Sequence, residues 1–363
     1  MPPSRRPRNA EEVFDIISAP TRHRSPLGHG RLASASYSWR IVSCFLALAL
    51  ATVGITQDVR PSAASTEPTP PGTAFSFYVR TTNPERLFRL GCSEGLRMKA
   101  LTSLRDTIAV LDFGRPVRRR HHHPRGPWHY GVSLFSTRGF APVSSVLHAS
   151  EAYARGVWKC SNGLQRGHVR IAIGTTNWGS DVSWWHGRTW AAMVNSANAW
   201  VHDHGFGSRL DFAGANDIEL SWNSPGATRN WVNGYESLAN YPYYNYGSAD
   251  ACPPRGRCAG AWTLEDVWFV SWGAPHAWPL PEIYTPNWSQ AQQWYQVAVY
   301  SYLRHGSTMR IAGVMSQRGA CRLAGDPCRG MNNTPGRAWR QLFHLLNRDP
   351  RTRQHLQWST DIR

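Results

Sequence analysis

Lysine is almost missing from this chain: only Lys99 and Lys159 occur among 363 residues, so 38 of the 40 basic side chains are arginine. Without lysine clusters or a basic amphipathic helix, the formal charge of +17 does not mark a phosphate-binding surface, and nucleic acid is not expected as a partner. The apolar run from Ile41 to Thr56 is 16 residues long, short of the about 17 to 25 that a membrane-spanning helix needs. No C-x-x-C pair, H-E-x-x-H helix or G-x-S-x-G elbow occurs, and no Gly-rich phosphate loop follows a strand-like run. Structural zinc, a zinc-protease centre, a serine nucleophile and a dinucleotide fold therefore drop out, and neither metal nor cofactor is expected.

What is present points to export. Seven arginines fall in the first 40 residues, and the apolar run follows them. Next come a Pro/Ser/Thr-rich stretch from Pro61 to Thr73 and the small residues Ala63-Ala64-Ser65, the order of a secretory signal. The expected organisation is a leader with signal or anchor over 1–65, a linker over 66–73 and one folded domain over 74–363. Membrane contact is expected only through an uncleaved leader, and the expected location is extracellular or cell-wall associated. Without the leader, thirty-two basic residues face nineteen acidic ones, a balance that draws the protein to acidic polymers such as wall glycans.

Cysteine usage agrees. Cys44 lies in the leader and six remain. Cys252 with Cys258 and Cys321 with Cys328 are close in sequence around Pro/Gly/Arg-rich loops, which leaves Cys92 for Cys160. The run Arg118 to His123 reads as a solvated loop, because six adjacent basic side chains without an acid make a poor cation site.

Eight apolar runs alternate with amphipathic segments over the last 290 or so residues. They are Thr107–Phe113, His129–Phe135, His168–Gly174, Arg209–Leu220, Tyr241–Tyr246, Val267–Ser271, Leu280–Tyr284 and Arg310–Met315. Helical patterns cover Thr189–His202, Thr228–Leu238, Ser289–Leu303 and Gly336–Leu346. This alternation predicts an α/β protein, a (β/α)8 TIM-barrel-like single domain with disulfide-stapled loops, in preference to a doubly wound sheet.

In such a barrel, function collects at the C-terminal ends of the strands. The strongest signal there is Asp217-Ile218-Glu219, since residues two apart in a strand face the same side and set two carboxyls at one cavity. Asp112 closes what reads as the first strand. Other strand ends offer Asn177, Trp178, Trp222, Tyr246, Ser271, Trp272, Glu282 and Tyr284. Eighteen Trp and thirteen Tyr supply apolar faces with polar edges suited to sugar rings, although core filling accounts for any single one of them more simply.

The strand-end Asp112 in Val110-Leu111-Asp112-Phe113-Gly114, the pair Asp217-Ile218-Glu219 and the aromatic run Val267 to Trp272 together resemble the secreted lysozyme-type muramidase barrels. The resemblance implies Glu219 as general acid, Asp217 as the group that tunes it and Asp112 on the sugar-binding floor. Asn177, Trp178, Trp222, Tyr246, Trp272 and Tyr284 are the expected substrate contacts. The function expected is a secreted glycoside-hydrolase-like protein acting on a cell-wall or extracellular polysaccharide by carboxylate acid/base catalysis. The rival expectation is a non-catalytic carbohydrate-binding or wall-associated barrel.

Overall fold

The computed structural model describes residues 68–101, 105–120, 126–135, 139–165, 167–323 and 330–363. The leader, Cys44, His121 to His123 and Cys328 lie outside the described residues, and with Cys328 lies the expected bridge to Cys321. Residues Thr69–Arg363 form one compact unit.

Eight parallel strands make the main sheet. In spatial order they are β10 (Gly313–Ser316), β11 (Trp358–Ile362), β1 (Thr73–Tyr78), β2 (Thr107–Asp112), β6 (Val169–Thr176), β7 (Leu210–Asp217), β8 (Tyr243–Asn245) and β9 (Ala277–Pro279). The two outer strands approach each other through residues just beyond β9. The Met315 N–H donates to the Pro281 carbonyl and the Ile283 N–H to the Met315 carbonyl, each at 2.8 Å, so the sheet is a nearly closed (β/α)8 barrel. β2, β6 and β7 are buried on both faces, as strands must be when helices cover one side and the barrel interior the other.

Six helices supply most of the outer layer: α1 (Pro84–Lys99), α2 (Val143–Cys160), α3 (Trp184–Asp203), α4 (Pro225–Glu236), α6 (Ser289–His305) and α8 (Pro335–Arg348). The starts of α1, α3, α4 and α8 are locally encoded, because Asn83, Ser183, Ser224 and Thr334 each accept an N–H of the first turn. α1 and α2 touch backbone to backbone. A Cβ on Gly91 would stand 2.0 Å from the Tyr153 carbonyl oxygen, and the Cys92–Cys160 disulfide then staples the pair. Cys252–Cys258 is likewise bonded.

Six expectations need correction. Arg118 to Arg120, expected in a solvated loop, end the strand β3 (Arg115–Arg120), because their backbone pairs with Trp128 to Tyr130. Leu280–Tyr284 follows the strand rather than forming it, since β9 is Ala277–Pro279 and Glu282 makes an isolated bridge to Met315. Thr107–Asp112 is the second barrel strand, because β1 precedes it. The run His129–Phe135 falls outside the barrel. Its strand β4 (Trp128–Ser133) sits between β3 (Arg115–Arg120) and β5 (Phe140–Pro142) in an antiparallel sheet inserted after β2. Val267–Ser271 is helical, the end of α5 (Leu264–Trp268) and a π-turn over Phe269–Gly273. Its start is set by a capping box in which Thr263 and Asp266 satisfy each other's backbone N–H groups. Finally β11 closes the chain after the short α7 (Arg318–Leu323) and α8, where no strand was expected.

The tryptophans mostly build the core. Trp190, Trp231, Trp262, Trp294 and Trp339 are fully buried. Trp190 donates its indole N–H to the Ile173 carbonyl within β6 at 2.9 Å, and Trp339 donates to the Leu356 carbonyl just before β11 at 3.0 Å. That pins helix to strand rather than opening a cleft.

Candidate active site

The C-terminal ends of the barrel strands gather five carboxyl groups. Asp112 ends β2, Asp217 ends β7 with Glu219 two residues on, Asp250 follows β8 and Glu282 follows β9. Asp112, Asp217 and Glu282 are buried, and Glu219 is half-buried at the rim. No salt bridge joins any of the five to a cation among the described residues, so their charged forms are penalised by burial and by each other.

Glu219 is held from three sides. Its backbone is clamped by Asn177, whose amide oxygen accepts the Glu219 N–H at 3.1 Å and whose amide nitrogen donates to the Glu219 carbonyl at 3.0 Å. The Ser248 hydroxyl donates to Glu219 Oε2 at 2.7 Å. Gly247 makes that approach possible, since a Cβ there would stand 2.3 Å from the Ile218 carbonyl oxygen. Burial is the main cause that lifts the Glu219 carboxyl, to about 7, and the nearby Asp250 charge adds to it.

Glu282 completes the constellation. Its Oε1 accepts the Gln290 amide at 3.0 Å. The Gln290 amide cannot turn over, because its own oxygen accepts the backbone N–H groups of Tyr284 at 2.6 Å and Thr285 at 2.9 Å. Glu282 also lies within hydrogen-bond reach of Glu219, and burial followed by the charges of Glu219, Asp250 and Asp217 holds its pKa well above the ordinary range. Glu282 is therefore the neutral partner that donates to Glu219.

Deeper in the mouth, Asp217 is raised well above its usual value by burial, then by Glu219 and Asp112. Asp112 is raised to about 6 by burial, although its Oδ1 accepts the Gly114 N–H at 2.9 Å. The Tyr246 hydroxyl lies beside Asp112 but donates to the Thr175 carbonyl at 3.3 Å. Burial raises the pKa of the Tyr78 and Tyr284 phenols, and the charges of Asp217 and Glu282 add to it on both.

Of the residues singled out from sequence, the structure brings Asp112, Asp217, Glu219, Tyr246 and Tyr284 to one mouth. Trp178 and Trp222 stand at its lip, ring centres 6.4 Å apart. Asn177 is buried and serves as the clamp on Glu219, with its amide nitrogen also donating to Thr228 Oγ1 at 3.2 Å. Trp272 is displaced altogether. It ends the π-turn that leads into β9 and packs edge-on against Trp278 at 5.1 Å, so it lies at the N-terminal side of that strand, away from the mouth.

Ser248, Asp250, Glu282, Gln290 and Tyr78 were not picked as site residues. Glu282 carried a readable signal, since Glu282 and Tyr284 repeat the two-residue spacing of Asp217 and Glu219 at a strand end. Tyr78 was lost with β1. No protein-family model, curated protein or solved structure matches this chain. The site's chemistry therefore has to be read from its own geometry.

Proposed function

We propose that the protein is a glycoside hydrolase that acts on a cell-wall or extracellular polysaccharide, with Glu219 as the general acid. The observation that carries this reading is the Glu219–Glu282 pair. A general acid works best when its pKa lies near the working pH, and Glu219, lifted to about 7, meets that condition at the half-buried rim where a glycosidic oxygen can reach it. Once Glu219 has given its proton to the leaving oxygen, its carboxylate accepts from Ser248 and from neutral Glu282. Both hydrogen bonds strengthen as charge develops on Glu219, so they favour the transition state over the ground state.

Asp217, held well above its usual value by burial, and Asp112, raised to about 6, keep the inner mouth uncharged on the acid side of about pH 6. Trp178 and Trp222 at the lip offer ring edges and faces to sugar CH groups. The disulfides fit an oxidising compartment, which supports export to where such polymers lie. Reducing-end release from a panel of wall and plant polysaccharides tests the reading. Cleavage by the wild-type chain is expected; glycan binding without cleavage of any polymer in the panel would replace it with a binding barrel.

A further inference from the structure

The inserted hairpin carries a surface that acid catalysis does not use. β3 leaves the barrel mouth directly through Phe113 and Gly114, and Gly114 anchors it there. Its N–H donates to Asp112 Oδ1 at 2.9 Å, and its carbonyl accepts the Thr175 hydroxyl at 2.8 Å. Beyond that anchor, alternate residues of β3 take opposite faces. Arg118 and Arg120 share one face, and both guanidinium groups lie over the Trp128 ring at 4.5 Å from its centre. Trp128 is the cross-strand partner of Arg120 and is 41% exposed. On the other face Arg119 lies over Phe140 at 5.1 Å and Arg115 over Trp178 at 4.9 Å, which joins the hairpin to the aromatic lip of the mouth.

A guanidinium stacked on a ring is held by its face, while its N–H edge stays available. Arg118 uses that edge on Asp181, 3.0 Å away. Among the described residues no carboxylate pairs with Arg115, Arg119 or Arg120. Three preoriented donor forks therefore stand unneutralised along one hairpin, in the geometry that grips carboxylate or phosphate groups.

We infer that this arginine–aromatic hairpin binds the acidic groups of a polyanionic glycan, a polymer with carboxylate or phosphate groups along it, while an uncharged sugar unit of the same chain occupies the mouth. The inference rests on the reading of the mouth as a glycan site. A glycan is favoured over nucleic acid because the two surfaces adjoin. A polynucleotide carries a phosphate at every residue and would set one against the carboxyl cluster, whereas a glycan can place a neutral ring there and its acid on the arginines. The overall positive charge assists the encounter at low salt.

The test uses the full chain with Glu219→Gln, so that turnover does not consume the probe. Binding is measured in about 50 mM salt to polygalacturonate, to its fully methyl-esterified form, to a glycerol-phosphate teichoic acid and to single-stranded DNA. Polygalacturonate or the teichoic acid should bind about tenfold tighter than the ester, with an advantage that shrinks as salt is raised. The further change Arg119→Gln with Arg120→Gln should weaken the acidic polymers about five- to tenfold and leave the ester within about twofold, because exposed charge pairs each contribute little. Lysine at both positions should restore part of the loss. Thermal unfolding checks that each variant is folded, and the two single substitutions give the same reading if the pair is not.

Equal binding of acidic and esterified forms, or no loss in the arginine variants, would overturn the inference while leaving the mouth reading intact. DNA bound as tightly as the acidic glycans, with the same arginine dependence, would overturn it in favour of a general polyanion surface. If wild type cleaves nothing but the acid preference persists, the mouth reading fails and the hairpin stands as a binding surface.

Discussion

The two ends of this barrel treat charge in opposite ways. At the N-terminal end, Arg170 of β6 and Asp211 of β7 form a forked ion pair, the Tyr244 hydroxyl accepts a further Arg170 N–H at 2.7 Å, and the guanidinium lies over the Tyr244 and Trp358 rings. Opposite charges meet there and close the floor. At the C-terminal end, five carboxyls converge with no cation among the described residues to pair them. A fold selected for stability alone has no use for such a mouth, because buried carboxyls resist ionisation and raise one another's pKa. The contrast separates a barrel end that closes the core from one held ready for proton transfer, and each of the following measurements strains one side of it.

The largest effect is expected at the mouth. Glu219→Gln keeps size and polarity but has no acidic proton to give, so turnover of any cleaved glycan should fall about 10² to 10⁴-fold while glycan affinity and thermal unfolding stay close to wild type. Steady-state rates and equilibrium binding on the same polymer check this. Undiminished turnover would remove Glu219 from the acid role.

The mouth should also tie stability to pH. Asp112 has its pKa raised to about 6 in the folded protein against an ordinary 3.8, so between those values the folded chain holds a proton that the unfolded chain has released. Stability from this group is therefore greatest on the acid side and falls as pH rises across that window, by about 3 kcal/mol at 1.36 kcal/mol per unit. Glu219 extends the decline towards pH 7. Buried His186, its pKa lowered to about 4, adds stability as pH rises over much of the same range, so the Asp112 contribution is read as a difference. In denaturant unfolding from pH 4 to 8, Asp112→Asn should gain on wild type by about 3 kcal/mol as pH rises to about 6. A wild-type to Asp112→Asn difference that does not change with pH would contradict the description of the mouth.

The floor should respond to loss of a partner instead. Arg170→Met leaves Asp211 and the Tyr244 hydroxyl without their donor. Breaking a buried pair costs on the order of 3 to 5 kcal/mol, and because both partners here are about a quarter exposed the expected loss is about 2 kcal/mol. Adding Asp211→Leu should recover most of it, since an uncharged floor no longer strands an acid. A double variant as unstable as the single one would mean that the floor depends on more than this pair.

The same division governs what was legible in the sequence. β2, β6 and β7 stood out because strands buried on both faces read as long apolar runs. Their ends gave the carboxyls of Asp112, Asp217 and Glu219. β8 was legible within the run Tyr241–Tyr246, but the three-residue β9 is too short for a periodic signal and was displaced by the apolar run Leu280–Tyr284 that follows it, and β1 follows directly on the Pro/Thr-rich stretch. β11 carries Ser359, Thr360 and Asp361 in its middle, so polarity hid a buried strand. Val267–Ser271 was apolar enough for a strand, and its helical start was written in Thr263 and Asp266. The partners of Glu219 were the hardest to foresee. Ser248 and Glu282 follow other strands, and the side-by-side pairing of β7, β8 and β9 brings them to it.

Those partners supply the finest test of the comparison. The Ser248 hydroxyl donates to the Glu219 carboxylate and so lowers a pKa that burial has raised. Ser248→Ala removes that donor without adding charge, so Glu219 should hold its proton to higher pH. A general acid loses activity as pH rises through its pKa, so the alkaline limb of the pH–rate profile should move up from about 7, by up to about one unit for a hydrogen bond worth on the order of 1.5 kcal/mol. Asp217→Asn serves as the contrast. Burial followed by the Glu219 charge holds the Asp217 carboxyl well above the ordinary range, so Asp217 is the neutral member while Glu219 ionises, and the exchange of a neutral acid for a neutral amide should lower the rate with little movement of that limb. If instead Asp217→Asn moves the limb and Ser248→Ala does not, the control of Glu219 lies in its strand neighbour rather than across the barrel mouth.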